Sequence, residues 1–311
     1  KSGLLRRKET VTDVQQDLDT YLEARKEVID GAIARFLPGE DNFPPLLFRA
    51  MRYSVFAGGK RLRPILCIAA AEAVGGVMET VLPAACALEL IHTYSLIHDD
   101  LPAMDNDDYR RGMLTSHKVF GDAVAILAGD ALLTEAFHLL SAKELTDRFP
   151  PENALTVIRE VSEAAGCFGM VGGQVVDIMS EGKRVDLSTL HDIHTRKTGA
   201  MIRASVRTGA ILAGAAAETL QSLTDYGDYV GLAFQITDDV LDVEGDREQL
   251  GKETGADQSR RKATFPALIG VEASREKTRE LVAMALGAID SLDEKADPLR
   301  WIAGFIGERK K

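Results

Sequence analysis

Five aspartates, Asp99, Asp100, Asp105, Asp107 and Asp108, fall within the eighteen residues SLIHDDLPAMDNDDYRRG (95–112), and Arg110 and Arg111 follow directly. Two carboxylates about 4 Å apart repel by roughly 4 kcal/mol at an effective dielectric near 20, so a chain that gathers several needs a compensating cation. Oxygen donors with no histidine or cysteine between them suit magnesium, a hard ion that keeps several waters and is held by a few carboxylates together with substrate phosphates. A solvated acidic face is the alternative. An EF-hand fits worse, because counting from Asp105 the position that requires glycine is Arg110.

A second acidic group stands in FQITDDVLD (234–242), where Gln235, Asp238, Asp239 and Asp242 are spaced i, i+3, i+4 and i+7. That spacing puts them on one helical face, opposite Ile236, Val240 and Val243. The basic counterpart is GGKRLRP (58–64), which carries Lys60, Arg61 and Arg63 on a glycine-hinged entry to a helix. A helix N-terminus with neighbouring cations is suited to an anion. Arg110 and Arg111 add guanidinium forks that match phosphate oxygens in pairs. His92, seven residues before Asp99 and on the same helical face, suits either an anion site or a core position. Lys197 with Thr198 in HTRKTGAM, Lys252 in LGKETGAD and Lys262 in RRKATFPAL each read alone as surface charge. His191 and His194 match no zinc pattern and read as structural or surface residues. The segment from Gly245 to Lys252 has the wrong spacing for a P-loop and is followed by Glu253 where Ser or Thr is needed.

Helices must position these groups. Apolar residues recur at intervals of three and four over 64–74, 81–99, 121–142, 154–179, 187–217, 229–243, 265–289 and 298–307, and no segment alternates as a strand would. Pro64 suits a first helical turn and Gly75-Gly76 a helix end. In an unbroken helix Asp99 and Asp105 would stand about 240° apart, too far to share a ligand. Pro102 removes a backbone donor and disfavours helical geometry at Leu101, so the helix is expected to end just after Asp100 and to swing Asp105 back beside Asp99.

The expected architecture is all-α: one domain over residues 1–311, a bundle of about ten helices, with the first few residues outside it. The loose segments are 36–46, 146–152 and 244–263. With 37 Lys and Arg against 48 Asp and Glu, the net charge of -11 argues against nucleic acid as a partner. Cys67, Cys86 and Cys167 are widely spaced and odd in number, as expected of reduced core thiols in a cytoplasmic protein. No uncharged apolar run reaches membrane-spanning length, and the N-terminal residues lack a signal peptide's apolar stretch.

Together GGKRLRP, DDLPAMDNDDYRRG, FQITDDVLD, GKETGADQ and KATFPAL resemble the trans-isoprenyl diphosphate synthases, the polyprenyl synthetases, and most of all the bacterial farnesyl diphosphate synthases. The match runs over most of the chain; the motifs are specific as a set and not singly. The resemblance implies two aspartate-rich helices facing across a deep central cavity, commonly in a homodimer, and condensation of isopentenyl diphosphate with an allylic diphosphate. Asp99, Asp100 and Asp105 on one side, and Asp238 with Asp239 and Asp242 on the other, would hold about three magnesium ions against the allylic diphosphate. By the same resemblance Arg110, Lys197, Lys252 and Lys262 would grip its oxygens, and Lys60, Arg63, His92 and Arg111 would bind isopentenyl diphosphate. Asp99, Asp238 and Lys197 would assist ionisation, and Thr198 and Gln235 would steady the allylic cation. The basic end GERKK is compatible with a tail that helps to close the cavity.

In this family the residue five before the first aspartate helps to set the cavity floor. Here it is Tyr94, followed by Ser95, and five residues of helix rise about 7.5 Å. An aromatic there implies a fifteen-carbon product, farnesyl diphosphate; the Leu-Pro-Ala-Met insertion between aspartates is shared with geranylgeranyl diphosphate synthases. A terpene cyclase needs no second diphosphate site and a non-catalytic subunit would shed metal ligands. Both fit an intact GGKRLRP and six aspartates poorly.

Overall fold

A computed structural model describes residues 11–244 and 263–308. Its first helices are α1 (Val11–Phe36), α2 (Pro45–Val55), α3 (Leu62–Ala73) and α4 (Met78–Asp99). There follow α5 (Ser116–Phe120), α6 (Asp122–Ser141), α7 (Lys143–Thr146), α8 (Pro151–Ala165), α9 (Met170–Ser180) and α10 (Leu187–His194). A π-helical turn, Thr195–Gly199, runs into α11 (Ala200–Leu212), and the chain continues through α12 (Ala217–Glu244), α13 (Phe265–Ile269), α14 (Val271–Ala288) and α15 (Asp297–Glu308). The fold is all-α, as the periodicity predicts.

α4 is buried on nearly every side, from Val81 to Ile97, because its sequence is apolar all round; such a helix belongs in the centre of a protein. It packs against α6 and α3, α3 packs against α11, α11 against α12, and α12 against α14. Each fully buried Leu or Ile of this core, Leu88 and Ile91 among them, contributes roughly 1.5–3 kcal/mol. α3 ends as its glycines predict: Gly76 N donates to Ala71 O and Gly75 N to Glu72 O, which satisfies the last carbonyls in a Schellman pattern.

Several expectations are corrected. α1 and α2 lie outside the periodic segments; charged residues interrupt the apolar spacing of α1, yet Leu18, Ile29, Ala32 and Ile33 are buried where it meets α3, α4 and α15. The run 154–179 is two helices divided at Gly166–Gly169, and 187–217 is divided by the π turn. A short antiparallel hairpin, β1 (Tyr109–Arg110) with β2 (Met113–Leu114), escaped the reading because each strand has two residues. Its two-residue turn has Arg111 at φ 54° and Gly112 at φ 78°, the geometry that suits strand twist. Cys67 and Cys86 are core thiols, but Cys167 is exposed. Two segments, Met78–Asp99 and Asp122–Thr146, are long and apolar enough to cross a membrane. The apolar window of the first is 78% buried in the protein, as befits a core helix; that of the second is only 39% buried.

Candidate active site

One cavity of about 1650 Å³ lies between α4 and α12, with walls from α3, α9, the π turn, the 99–112 loop and α15. Asp99, Asp105, Asp238 and Asp239 all line it, as do Lys60, Arg63, His92, Arg110, Arg111, Lys197, Thr198 and Gln235. Tyr94 and Ser95 line it as well, along with apolar residues such as Met170, Val171, Val175, Ile178 and Phe234. Asp100 and Asp242 are buried beside the cavity and are not part of its lining. Lys252, Lys262 and the basic end after Glu308 lie outside the described residues.

The first acidic group is assembled by the break at Pro102. α4 stops at Asp99, Asp100 caps it, and Leu101 N donates to His98 O at 3.2 Å. The loop then turns back, with Asp105 N donating to Asp99 O at 2.8 Å and Asn106, at φ 51°, donating to Leu101 O at 3.0 Å. Asp100 is not arranged as a ligand here. Arg110 Nε donates to its two oxygens at 2.8 and 2.9 Å, and Nη2 lies 2.6 Å from Oδ1. Burial raises the Asp100 carboxyl above its usual range, and Arg110 opposes that rise.

The second group sits on α12. Asp239 Oδ2 accepts from His194 Nε2 at 2.9 Å and from Phe265 N at 2.9 Å, while the His194 ring stacks on Phe265. One carboxylate oxygen thus ties α12 to α10 and α13. Among the described residues no three carboxylate, imidazole or thiol groups converge as a ready-made cation cage. Asp99, Asp105 and Asp238 are nevertheless oxygen donors facing one cavity, a set that suits a hydrated magnesium completed by ligand phosphates.

The π turn presents Lys197 and Thr198 together. Lys197 Nζ donates to Asp177 Oδ2 of α9 at 2.7 Å, and Thr198 Oγ1 donates to Gln235 Oε1 at 2.7 Å. Gly173 of α9 permits this approach, since a Cβ there would stand 2.5 Å from the Lys197 backbone nitrogen. Single π turns inside helices recur at functional sites because they rotate side chains out of register.

The cationic wall is crowded. Burial lowers the Arg63 pKa, with Arg111 adding to that effect and Glu89 and Asp238 opposing it. Burial also lowers Arg111, which donates through Nη1 to Gly58 O. His92 is held well below its ordinary pKa by burial and by Arg63, Arg111, Arg110 and Arg61. A bound polyanion would relieve this repulsion and desolvation together. Arg63 Nε is buried with no hydrogen-bond partner among the described residues. Lys60 reaches over the ring of Phe305 on α15, 5.5 Å from its centroid. Arg61, between them in sequence, also lines the cavity but is held by carboxylates: it is 2% exposed and pairs with Glu89 at 2.8 Å and Asp30 at 2.7 Å.

Sequence reasoning missed three of these contributors, Asp177, Gln174 and Glu89, and read His194 as structural or surface without its partner, Asp239. Gln174 and Asp177 interrupt the apolar stretch GGQVVDIM at i and i+3, which is a readable signal. Gln174 Oε1 is buried without a hydrogen bond among the described residues, and the residue lines the cavity. His194 and Glu89 carry no local signal, because their partners lie 45 and 28 residues away.

Residues 44–298 match the polyprenyl synthetase family. The chain is 48% identical to a geranylgeranyl diphosphate synthase of Cyanophora paradoxa, covering 94% of this chain and 97% of that one. It is 45% identical to a farnesyl diphosphate synthase of Geobacillus stearothermophilus, covering 95% and 99%. Among solved structures, an FPP/GFPP synthase from Zymomonas mobilis superposes with a TM-score of 0.85 at 39% identity, covering 94% of this chain and 99% of that one. With an all-helical fold, an acid-lined cavity and this similarity along nearly its whole length, the chain belongs to the polyprenyl synthetase family and is a trans-prenyltransferase.

Proposed function

We propose that the protein condenses isopentenyl diphosphate with dimethylallyl diphosphate and then with geranyl diphosphate, and stops at farnesyl diphosphate. The observation that carries the fifteen-carbon product is Tyr94, a 7%-exposed aromatic that lines the cavity about 7.5 Å along α4 from Asp99. A chain growing down from the acidic mouth meets that ring.

Asp99, Asp105 and Asp238, with Asp239 alongside, would hold about three magnesium ions, whose charge when bound offsets that of the allylic diphosphate. Lys197, fixed by Asp177, and Arg110, fixed by Asp100, bind the same diphosphate. Lys252 and Lys262 are proposed to complete this grip. Lys60, Arg63, His92 and Arg111 bind isopentenyl diphosphate and aim its double bond at the allylic carbon. The allylic carbon–oxygen bond breaks and diphosphate leaves with the electron pair, a step favoured by fixed charge. The hydroxyl dipole of Thr198 and the carbonyl of Gln235 steady the cation. The double bond of isopentenyl diphosphate attacks it, and the departed diphosphate takes the proton. Met170, Val171, Val175 and Phe234 keep water from the cation.

The protein is proposed to act in the cytoplasm as a homodimer. The apolar window of the Asp122–Thr146 segment, only 39% buried, supports the dimer. A second copy would cover it.

The test is incubation of purified protein with magnesium, labelled isopentenyl diphosphate and, in separate reactions, dimethylallyl, geranyl or farnesyl diphosphate, followed by sizing of the dephosphorylated alcohols. Fifteen carbons from the two shorter primers, with farnesyl diphosphate left unextended, is the expected result. Twenty carbons overturns the product assignment and keeps the chemistry.

A further inference from the structure

The Tyr94 ring has an aromatic neighbour on the side of the cavity mouth. One turn further along α4, His98 meets it edge to face, with ring centroids 5.6 Å apart and planes at 82°. His98 Nε2 lies 3.0 Å from the carbonyl oxygen of Ile126 on α6. A carbonyl only accepts, so Nε2 carries the proton and donates. The imidazole lies directly against Gly129, one helical turn beyond Ile126. A Cβ built on Gly129 would stand 2.2 Å from His98 Nε2 and 2.6 Å from Cδ2, distances no packed side chain tolerates. Tyr94, His98 and Ile126 all line the cavity. The histidine ring is therefore a spacer seated in a glycine notch of α6 and in edge contact with the tyrosine.

We infer that His98 is a positioning residue for product length: it props the Tyr94 ring across the cavity, and Gly129 is the notch that admits the prop. The inference rests on Tyr94 as the floor. It adds that the floor's height depends on the α4–α6 contact as well as on the identity of residue 94. Packed interiors transmit such a constraint because a ring deprived of its neighbour has a void to relax into. A merely structural His98, at the end of α4 beside Asp99, would alter stability and rate and leave the ratio of products unchanged.

The experiment sizes products from wild type, Tyr94→Ala, His98→Ala, the double variant Tyr94→Ala/His98→Ala, His98→Phe and Gly129→Ala, each with geranyl and farnesyl diphosphate as primers. Thermal midpoints are recorded alongside. His98→Ala is expected to raise the fraction of the next longer product several-fold over wild type. Because His98 acts through Tyr94, the double variant is expected to match Tyr94→Ala alone. His98→Phe keeps a ring edge against Tyr94 and is expected to retain the wild-type distribution; Gly129→Ala, which evicts the imidazole, is expected to lengthen it.

An unchanged product ratio in His98→Ala, alongside a lengthened product in Tyr94→Ala, overturns the inference and spares the floor. Full additivity in the double variant also overturns it. No change in Tyr94→Ala removes the floor itself, and with it the prop. The wild-type product in the same assay tests the farnesyl reading separately, since every expected shift is relative to wild type. If Gly129→Ala fails to fold, the His98 pair of variants still decides the matter.

Discussion

The backbone N–H of Asp105 donates to the carbonyl of Asp99 at 2.8 Å. That single bond spans the six-residue gap that an unbroken helix would have turned into opposite faces, and it is why two aspartates so spaced face one cavity.

Asp105→Asn and Asp238→Asn each remove a carboxylate charge from the cavity with little change in shape. Each is expected to lower kcat/KM by about 10²–10³-fold, in the range seen when a preorganised electrostatic partner is lost. Each is also expected to raise the magnesium concentration needed for half-maximal rate. Initial rates across a magnesium titration check both outcomes, with circular dichroism to show that the fold is retained.

Lys197 and Asp177 form one unit at 2.7 Å, so their substitutions should not be additive. Lys197→Met is expected to lower kcat by about 10²-fold through lost charge on the allylic diphosphate. Asp177→Asn is expected to cost less, and the double variant no more than Lys197→Met. A double-mutant cycle on kcat reads the coupling; full additivity would show that the contact does not position the lysine.

His92 predicts a pH dependence of stability. Its folded pKa lies well below its ordinary value of 6.5, mainly through burial and then through the surrounding arginines. Between the folded and unfolded values the native state binds fewer protons than the unfolded chain, so this contribution is present above pH 6.5 and is lost as pH falls. Urea unfolding at pH 7.5 and 5.5 is expected to show wild type losing on the order of 1 kcal/mol more than His92→Gln over that interval.

Arg61 and Glu89 are 2.8 Å apart with side chains 1% and 2% exposed. Removing one partner leaves a buried charge, so Glu89→Ala is expected to destabilise by about 3–5 kcal/mol, while Arg61→Met with Glu89→Leu recovers part of that loss. Denaturant midpoints for the single and double variants measure it. The same pair sets Arg61 apart within Lys60-Arg61-Leu62-Arg63: all four line the cavity, and Arg61, paired with Glu89 and Asp30, anchors the start of the helix that presents the others.

Local chemistry made much of this protein readable in one dimension. The i, i+3, i+4, i+7 stripe of α12, the helix stop at Gly75-Gly76 and the break at Pro102 each depend on residues within a turn or two of one another, and backbone sterics decide them before anything packs. Identifying the residue types that could serve a diphosphate needed no structure either, because charge and donor geometry belong to the side chain itself.

Tertiary structure decided what each charge does. Asp100 and Asp99 are adjacent in sequence, yet one is buried against Arg110 while the other lines the cavity. Arg61 and Arg63 are equivalent to the eye and line the same cavity, yet Arg61 is locked to Glu89 and Asp30 while Arg63 Nε has no hydrogen-bond partner among the described residues. Asp239 binds a histidine 45 residues earlier and a backbone amide 26 residues later, Asp177 is drawn to Lys197 across two helices, and the notch at Gly129 acquires meaning only when His98 is seated in it. These assignments rest on contacts between elements, and a helical repeat carries no record of which neighbour its faces will meet.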